Sequence, residues 1–566
     1  MAAKLSAVEA RAQDPLFVRQ GSFEELHERL PLCWPTAPDV PPSPKRGYRS
    51  HYVYLGWQGL QDLAEWAELS EFDLVLRLID FSGLRPILAQ RLGWTSARGQ
   101  VPFDPVSLFL LHGWQIINKW NRAETLRNLA KKRNVDYAER FGFVDGIYPT
   151  EGGLRYFLTA LGQHSEADGD TVTVELDEDR TVEVAIQYLN QLLVGAVNLI
   201  REAGLLSPEA WSQALVCPDG MLLQSASRLR CASVGDNCYQ PVTANTPRIC
   251  AAQEKDRKGC DCDTRACATA CRFATPWDAE ARFVWYEGSN QRPNNPNRST
   301  DPNQSQKIRG KAVYGYRSLP LLLADPIRRF HLTLLADFLA ANDREEVPAT
   351  ALLLQLDHFY PDLNLDAFVG DAGFGFDVVL RTVYQLRAKR VVDLRADKSD
   401  RNKAGWPTRG YDDKGRPICP FGYAYTANGY DAQRQRYKWF CGQVCLHDVE
   451  PAVRVDGTHY PPPECPHQKP DLSRGHILNI GLAFKDKSTR LVRDLPVGSP
   501  TWKRLYHQAR NASESRNGTF ERWNLKRLPV YGGLRGKAFA FLADTWDTLT
   551  TMARLIREAT FATSAA

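Results

Sequence analysis

Asp371 stands at the end of an apolar run, in "LDAFVGDAGFGFD", and is followed by Gly373 and Gly375. Residues of this kind in this order read as a buried strand that delivers a carboxylate and then turns sharply. Open α/β sheets bind ligands beyond the carboxyl ends of their strands, and glycine lets the backbone turn and approach closely. Taken alone, such an Asp could equally be a simple turn or helix cap. A second acidic element lies in "RLYHQARNASESRNGTFERWNLKR", where Arg510, Glu514 and Glu521 are spaced by four and seven residues. That spacing puts all three near one helical face, where by themselves they could form a weak surface ion pair. Lys503, Arg504, Arg516, Arg522, Lys526, Arg527 and Arg535 surround them. Carboxylates inside a basic field suit metal-assisted phosphoryl transfer. The acids hold divalent cations that clamp the attacking and leaving oxygens, and Arg and Lys hold the phosphate backbone.

The thiols form a second chemical pattern. Of 13 cysteines, eight lie between Cys217 and Cys271 and four are Cys419, Cys441, Cys445 and Cys465. Clustered thiols in a reducing compartment read as metal ligands before disulfides. Cys419, Cys441, Cys445 and Cys465 could bind one Zn²⁺, with His447 or His467 replacing one of them, and so staple a small β insertion that lacks a core of its own. "CDCDTRACATAC" offers Cys260, Cys262, Cys267 and Cys271, and Cys217, Cys231, Cys238 and Cys250 could form a further site. Reduced free thiols are the alternative at the Cys419 site, and iron–sulfur ligation is the alternative in the upstream group.

These residues need elements to position them. The chain has 566 residues, 24% charged and 43% hydrophobic, with a net charge of +5. It is too long for one core, and its composition is globular. Its apolar runs are too short or too interrupted by charge to span a bilayer, and no apolar leader is visible at the start. A cytoplasmic location, nucleoid-associated when bound to DNA, is expected. Residues 1–160 read as helical, with Asn121 and Thr150 as caps and a basic run, "AKKRN". Residues 161–274 read as a linker and cysteine-rich module. From 275 to 399 the pattern becomes α/β: "KAVYGYRSLPLLLAD", "LDAFVG" and "RVVDL" as strands, "REEVPATALLLQLDHF" and "DVVLRTVYQLRAK" as helices, and "RRFHLTLLADFL" as strand or short helix. Strands alternating with helices argue for a helix-covered sheet. Residues 400–475 read as an inserted, turn-rich β module, and 476–566 return to helix.

The ordered segments "YGYRSLPLLLAD", "HLTLLADFLAAND", "FVGDAGFGFD", "RVVDLRAD" and "RNASESRN…ERWNLKRLPVYGGLRG" resemble bacterial insertion-sequence transposases of the DDE class over residues 275–560. The resemblance implies an α/β fold with a ribonuclease H-like core. It also implies Mg²⁺ or Mn²⁺ at three acids, cleavage and joining of double-stranded DNA, and a homodimer or larger assembly on DNA, with no membrane. Asp371 matches the second acid. Glu514, with Arg510 one turn before it, matches the third, and Glu521 is the runner-up. For the first acid the strand "WDAEARFVWYEGSN" offers two candidates: Asp278, of the usual residue type, and Glu287, in the better topological position. Asp219 in "CPDG" is set aside because "CPFG" at 419–422 repeats that shape and suggests a cysteine turn. A DNA-binding relative without catalysis, or a nuclease that cleaves without joining, are the alternatives.

Overall fold

The computed structural model describes residues 30–36, 47–56, 69–92, 100–163, 169–226 except 178, 230–231, 274–275, 278, 280–286, 311–393, 471–481 and 500–564, with short runs between 416 and 444. A seven-stranded mixed sheet organises it. Its central strand is β1 (Ala214–Pro218), buried along its whole length. The strands β2 (Met221–Gln224), β3 (Arg282–Tyr286) and β1 all pair antiparallel with successive parts of the long β4 (Lys311–Asp325). On its other edge β4 pairs antiparallel with β5 (Phe330–Ala340). On the far side of β1 lie β6 (Leu365–Gly370), parallel to it, and β7 (Lys389–Val392), parallel to β6. The order is β5-β4-β1-β6-β7.

The strands β4 and β6 coincide with "KAVYGYRSLPLLLAD" and "LDAFVG", and the segment "RRFHLTLLADFL" resolves as a strand. The centre of the sheet falls outside the expected interval, however. The strand β1 lies in the stretch read as linker and cysteine module. "ALVCP" is short and buried on both faces, so it shows no period-two alternation, and its cysteine drew it into the metal-binding reading.

Among the described residues, helices cover the sheet and pack on one another. In the N-terminal region, α1 (Glu71–Leu78) starts at Ser70, whose hydroxyl accepts from the Asp73 amide. It ends where Ile79–Asp80 turns extended to pair with Leu32–Cys33, so a two-residue strand interrupts the region expected to be helical, and the helix Leu84–Leu92 follows it. The helix α2 (Pro105–Ile117) is capped by Asp104, with proline in its first turn. Asn121 and Glu124 form a reciprocal capping box at the next helix, Arg122–Leu129. Thr150 accepts from the Gly153 amide at the start of α3 (Glu151–Gln163). The basic run at 131–133 is exposed in a short 3₁₀ turn region. Further helices are α4 (Asn190–Glu202), α5 (Glu346–Leu354), α6 (Asp377–Gln385), α7 (Pro500–Arg522) and α8 (Gly533–Ser564).

Alternation along the strands assigns the faces. Leu215, Cys217, Ala367, Val369 and Val391 point to one side, where Trp502, Leu505, Ala509 and Ala512 of α7 cover them. These four α7 residues recur at helical spacing and form its buried stripe. Val216, Phe368 and Val392 belong to the larger core, which takes in α8 and the N-terminal helices. Trp546 of α8 is fully buried there, with Phe72 and Phe109 at 5.1 and 5.3 Å between ring centroids. A buried ion pair fastens α7 to α8: Arg516 bonds Asp544 at 2.9 Å and the Ser318 hydroxyl of β4 at 2.8 Å.

A separate three-stranded antiparallel sheet joins β8 (Thr426–Asp431), β9 (Arg436–Phe440) and β10 (Ile477–Gly481). It corresponds to the expected β insertion, with its last strand just past the expected boundary. Among the described residues no helix is long and apolar enough to cross a membrane.

Candidate active site

Asp371 directly follows β6 and caps the turn Ala372–Phe374, accepting from the Gly373 amide at 2.8 Å. The close approach explains Gly373, because a Cβ there would lie 2.7 Å from Asp371 Oδ1. Asp219 directly follows β1, with its amide bonded to the Pro320 carbonyl at 3.3 Å. The strands β1 and β6 are parallel, with Val216 opposite Phe368, so Asp219 and Asp371 emerge side by side at the same edge. Asp393 follows β7, with its amide 3.4 Å from the Gly370 carbonyl. Three neighbouring parallel strands thus each end in an aspartate.

The helix α7 crosses this edge. Arg510 Nη1 reaches Asp219 Oδ1 at 3.2 Å, and Asn517 donates to Asp219 Oδ2 at 2.8 Å. Tyr506 donates its hydroxyl to Asp393 at 3.1 Å. Glu514 lies between Arg510 and Asn517 on the same helical face and is exposed. Burial works against the charge on Arg510. The Asp219 carboxylate, the Cys217 sulfur and Asp371 outweigh burial, so Arg510 holds its proton more tightly than usual. It is a permanent cation facing the acids.

Glu345, just ahead of α5, completes the acidic side. A Cβ at Gly220 would lie 2.3 Å from its Oε1, which puts the Glu345 carboxylate against the residue following Asp219. Arg317 bonds the same oxygen. Burial raises the Glu345 pKa, Arg317 opposes the rise, and Asp371 and Asp219 add to it. Cys217, buried behind Asp219, has its thiol pushed up to about 12 by burial and then by Asp219. It is a core sulfur that keeps its proton.

The structure therefore brings Asp371 and Arg510 together with an acid that the sequence reading had set aside. Asp219 follows an apolar run and precedes a glycine, as Asp371 does, and that shared shape was the available signal. Glu345, Asn517 and Asp393 carried no comparable signal. Glu521 is exposed and pairs with Lys526. Glu287 lies outside the described residues. Asp278 is placed differently from the expectation of a catalytic acid. It is buried, and it accepts from the Ser225 hydroxyl at 2.6 Å, from the Tyr316 hydroxyl and from the Gly532 amide at 2.9 Å. Both oxygens are occupied in stapling β2, β4 and the loop before α8.

Burial pulls the Asp278 pKa up, but the bonds from Gly532, Ser225 and Tyr316 prevail and hold it below the ordinary 3.8. A depressed carboxyl contributes stability above its unfolded value and loses it as pH falls through the folded one. Asp278→Asn should therefore lower stability by about 2 kcal/mol near neutral pH. The gap from wild type should narrow as denaturant titrations are taken below pH 3.8. A gap that is constant with pH would show that the charge plays no part.

Of the expected thiol ligands, Cys217 is instead the core sulfur behind Asp219, Cys231 pairs its backbone with Ala274, and Cys419 and Cys441 lie half-buried against Tyr425 and Leu478 of the small sheet. The Tyr423 amide donates to Cys419 Sγ at 3.3 Å. Cys445, Cys465, Cys260, Cys262, Cys267 and Cys271 lie outside the described residues, as do Cys238 and Cys250. Among the described residues no three His, Cys, Asp or Glu side chains are grouped closely enough to hold a metal ion. In comparisons with known proteins, neither a family model nor a curated protein matches the chain.

Proposed function

We propose that the chain is a DDE-type DNA transposase with a ribonuclease H-like core, in which Asp219, Asp371 and Glu514 are the three acids. The observation that carries this reading is the pair Asp219 and Asp371 at the carboxyl ends of adjacent parallel strands, faced by the cationic helix α7. The strand order β5-β4-β1-β6-β7, with the first three antiparallel and the last two parallel to β1, supports it.

The donor set suits a hard divalent cation. Mg²⁺ is commonly held by one or two carboxylates together with water and substrate phosphate oxygens, and Asp219 and Asp371 supply two carboxylates. When bound, such a cation polarises the scissile phosphate and stabilises the leaving oxygen. The chain's own groups do the rest. Asn517 fixes the orientation of Asp219. Arg510 neutralises Asp219 in the free protein and is positioned to turn its guanidinium to a phosphate oxygen when DNA arrives. Glu514, between Arg510 and Asn517 on the same helical face, would add the third carboxylate when DNA and metal are bound. Arg317 compensates Glu345, so this fourth carboxylate does not repel the DNA backbone. Joining two element ends requires both to be held at once, so the working form on DNA is a dimer or larger.

The test uses a duplex carrying the inverted repeats that flank the coding region, with Mg²⁺ or Mn²⁺. Asp371→Asn and Glu514→Gln should each cut cleavage and strand transfer by about 10³-fold or more, roughly 4 kcal/mol of barrier, and leave DNA binding in place. Glu521→Gln should retain both reactions. Full activity in Asp371→Asn sinks the reading. Cleavage without joining assigns a nuclease instead, and binding with neither reaction assigns a DNA-binding protein.

A further inference from the structure

On the face of α7 turned away from Arg510 and Asn517, a cavity of about 290 Å³ opens between α7, α8, the end of α2 and the start of α1 and β5. Its volume is at the lower end of the range of small-ligand sites, about 300–1,000 Å³. Three cations from three elements line it: Lys119 just after α2, Arg522 at the end of α7 and Arg554 of α8. No salt bridge is found for any of them among the described residues. Arg554 Nε is buried without a hydrogen-bond partner. A buried donor left unmade costs on the order of 1–3 kcal/mol, so its presence calls for an absent acceptor.

The opposing acids do not supply one. Asp547 accepts from His331 Nε2 at 3.0 Å in the cavity wall, and Glu71 stands exposed at the rim. The remaining polar wall consists of hydroxyls, including those of Ser515 and Thr551. Arg522 donates to the Thr519 hydroxyl at 2.9 Å, so three cations against two carboxylates leave this open cavity with an excess of positive charge, and Arg554 Nε still lacks an acceptor. That lining fits a compact polyanion with several equivalent oxygens, which accepts from guanidinium and hydroxyl groups together.

We propose that this cavity binds a phosphoryl group, anchored by Arg554, Arg522 and Lys119. It stands apart from the acids of the proposed active site, on the opposite side of α7. Two sources share this chemistry: the phosphodiester of a nucleic-acid strand and a small phosphorylated molecule.

The experiment follows thermal unfolding of the full chain during titration with inorganic phosphate, with chloride at equal ionic strength as reference. The midpoint should rise with phosphate concentration, as expected for a ligand that binds only the folded state. Arg554→Met should weaken the apparent affinity by about tenfold or more, the effect of losing one charge-assisted contact. Arg522→Gln, at an exposed position, should also weaken it and guards against a folding defect in the first variant. Asp371→Asn should leave the phosphate effect unchanged, which separates this proposal from the assignment of the active site. A thymidine dinucleotide that competes with phosphate, and loses this with the same variants, assigns the site to nucleic acid. Phosphate binding without such competition assigns it to a small phosphorylated molecule. No rise in wild type, or an equal rise in both arginine variants, overturns the proposal.

Discussion

Asp219→Asn should abolish metal-dependent cleavage and strand transfer, by about 10³-fold or more, while the protein folds and binds DNA as before. The substitution keeps the shape of the side chain and one acceptor oxygen for Asn517. It removes the charge that a divalent cation needs and that currently pairs with Arg510. That pair is partly exposed, at 23% and 15%, so its loss should cost little stability, within about 1 kcal/mol. Freed from its partner, Arg510 strengthens the positive edge, and DNA affinity should hold or rise slightly at low salt. The comparison with Asp278→Asn is decisive. If Asp219 is the first acid, its variant is inactive and stable, whereas the Asp278 variant is active and less stable. The reverse pattern would remove Asp219 from the site. Both variants need only a cleavage assay and a denaturant titration.

The largest effect on stability is expected at the buried ion pair. Asp544→Ala should destabilise the fold by about 3–5 kcal/mol, a large share of the margin of about 5–15 kcal/mol that holds a native protein together. Arg516 has no exposed side-chain surface and Asp544 has 1%. Removing the carboxylate leaves a guanidinium in the core with Ser318, the Phe520 ring at 3.8 Å and weak contacts to Met221 and Asn517, none of which balances its charge. It also strands the Thr333 hydroxyl, which donates to Asp544 at 3.3 Å. The double variant Arg516→Met, Asp544→Leu removes both charges and should recover most of the loss, because a matched apolar pair avoids the desolvation penalty. Chemical denaturation of the single and double variants measures the difference. Equal stability in all three would show that the pair carries no weight. Arg516 is next to Asn517 on α7, so the single variant should also lower cleavage where it remains folded.

Much of the architecture was legible in the sequence. "LDAFVG" and "KAVYGYRSLPLLLAD" announced their strands because short apolar runs bounded by turn residues in an alternating α/β pattern have few other uses. Trp502, Leu505, Ala509 and Ala512 carried the helical period of α7 in plain view. The Asn121 cap was readable because capping is local chemistry, decided within four residues. The centre of the sheet was not readable. "ALVCP" is five residues long, gives no alternation, and sits next to a cysteine-rich stretch that suggested another use.

The site divides along the same line. Sequence alone determined that Asp371 ends a strand and that Arg510 and Glu514 share a helical face, since each follows from contacts within a few residues. Only the tertiary structure decided which acid stands beside Asp371. Strand order is set by pairings between residues far apart in the chain, and Val216 opposite Phe368 is a register that no local pattern encodes. That pairing places Asp219 next to Asp371, whereas the pairing of β3 with β4 and the Tyr316 hydroxyl take Asp278 into the core as a staple.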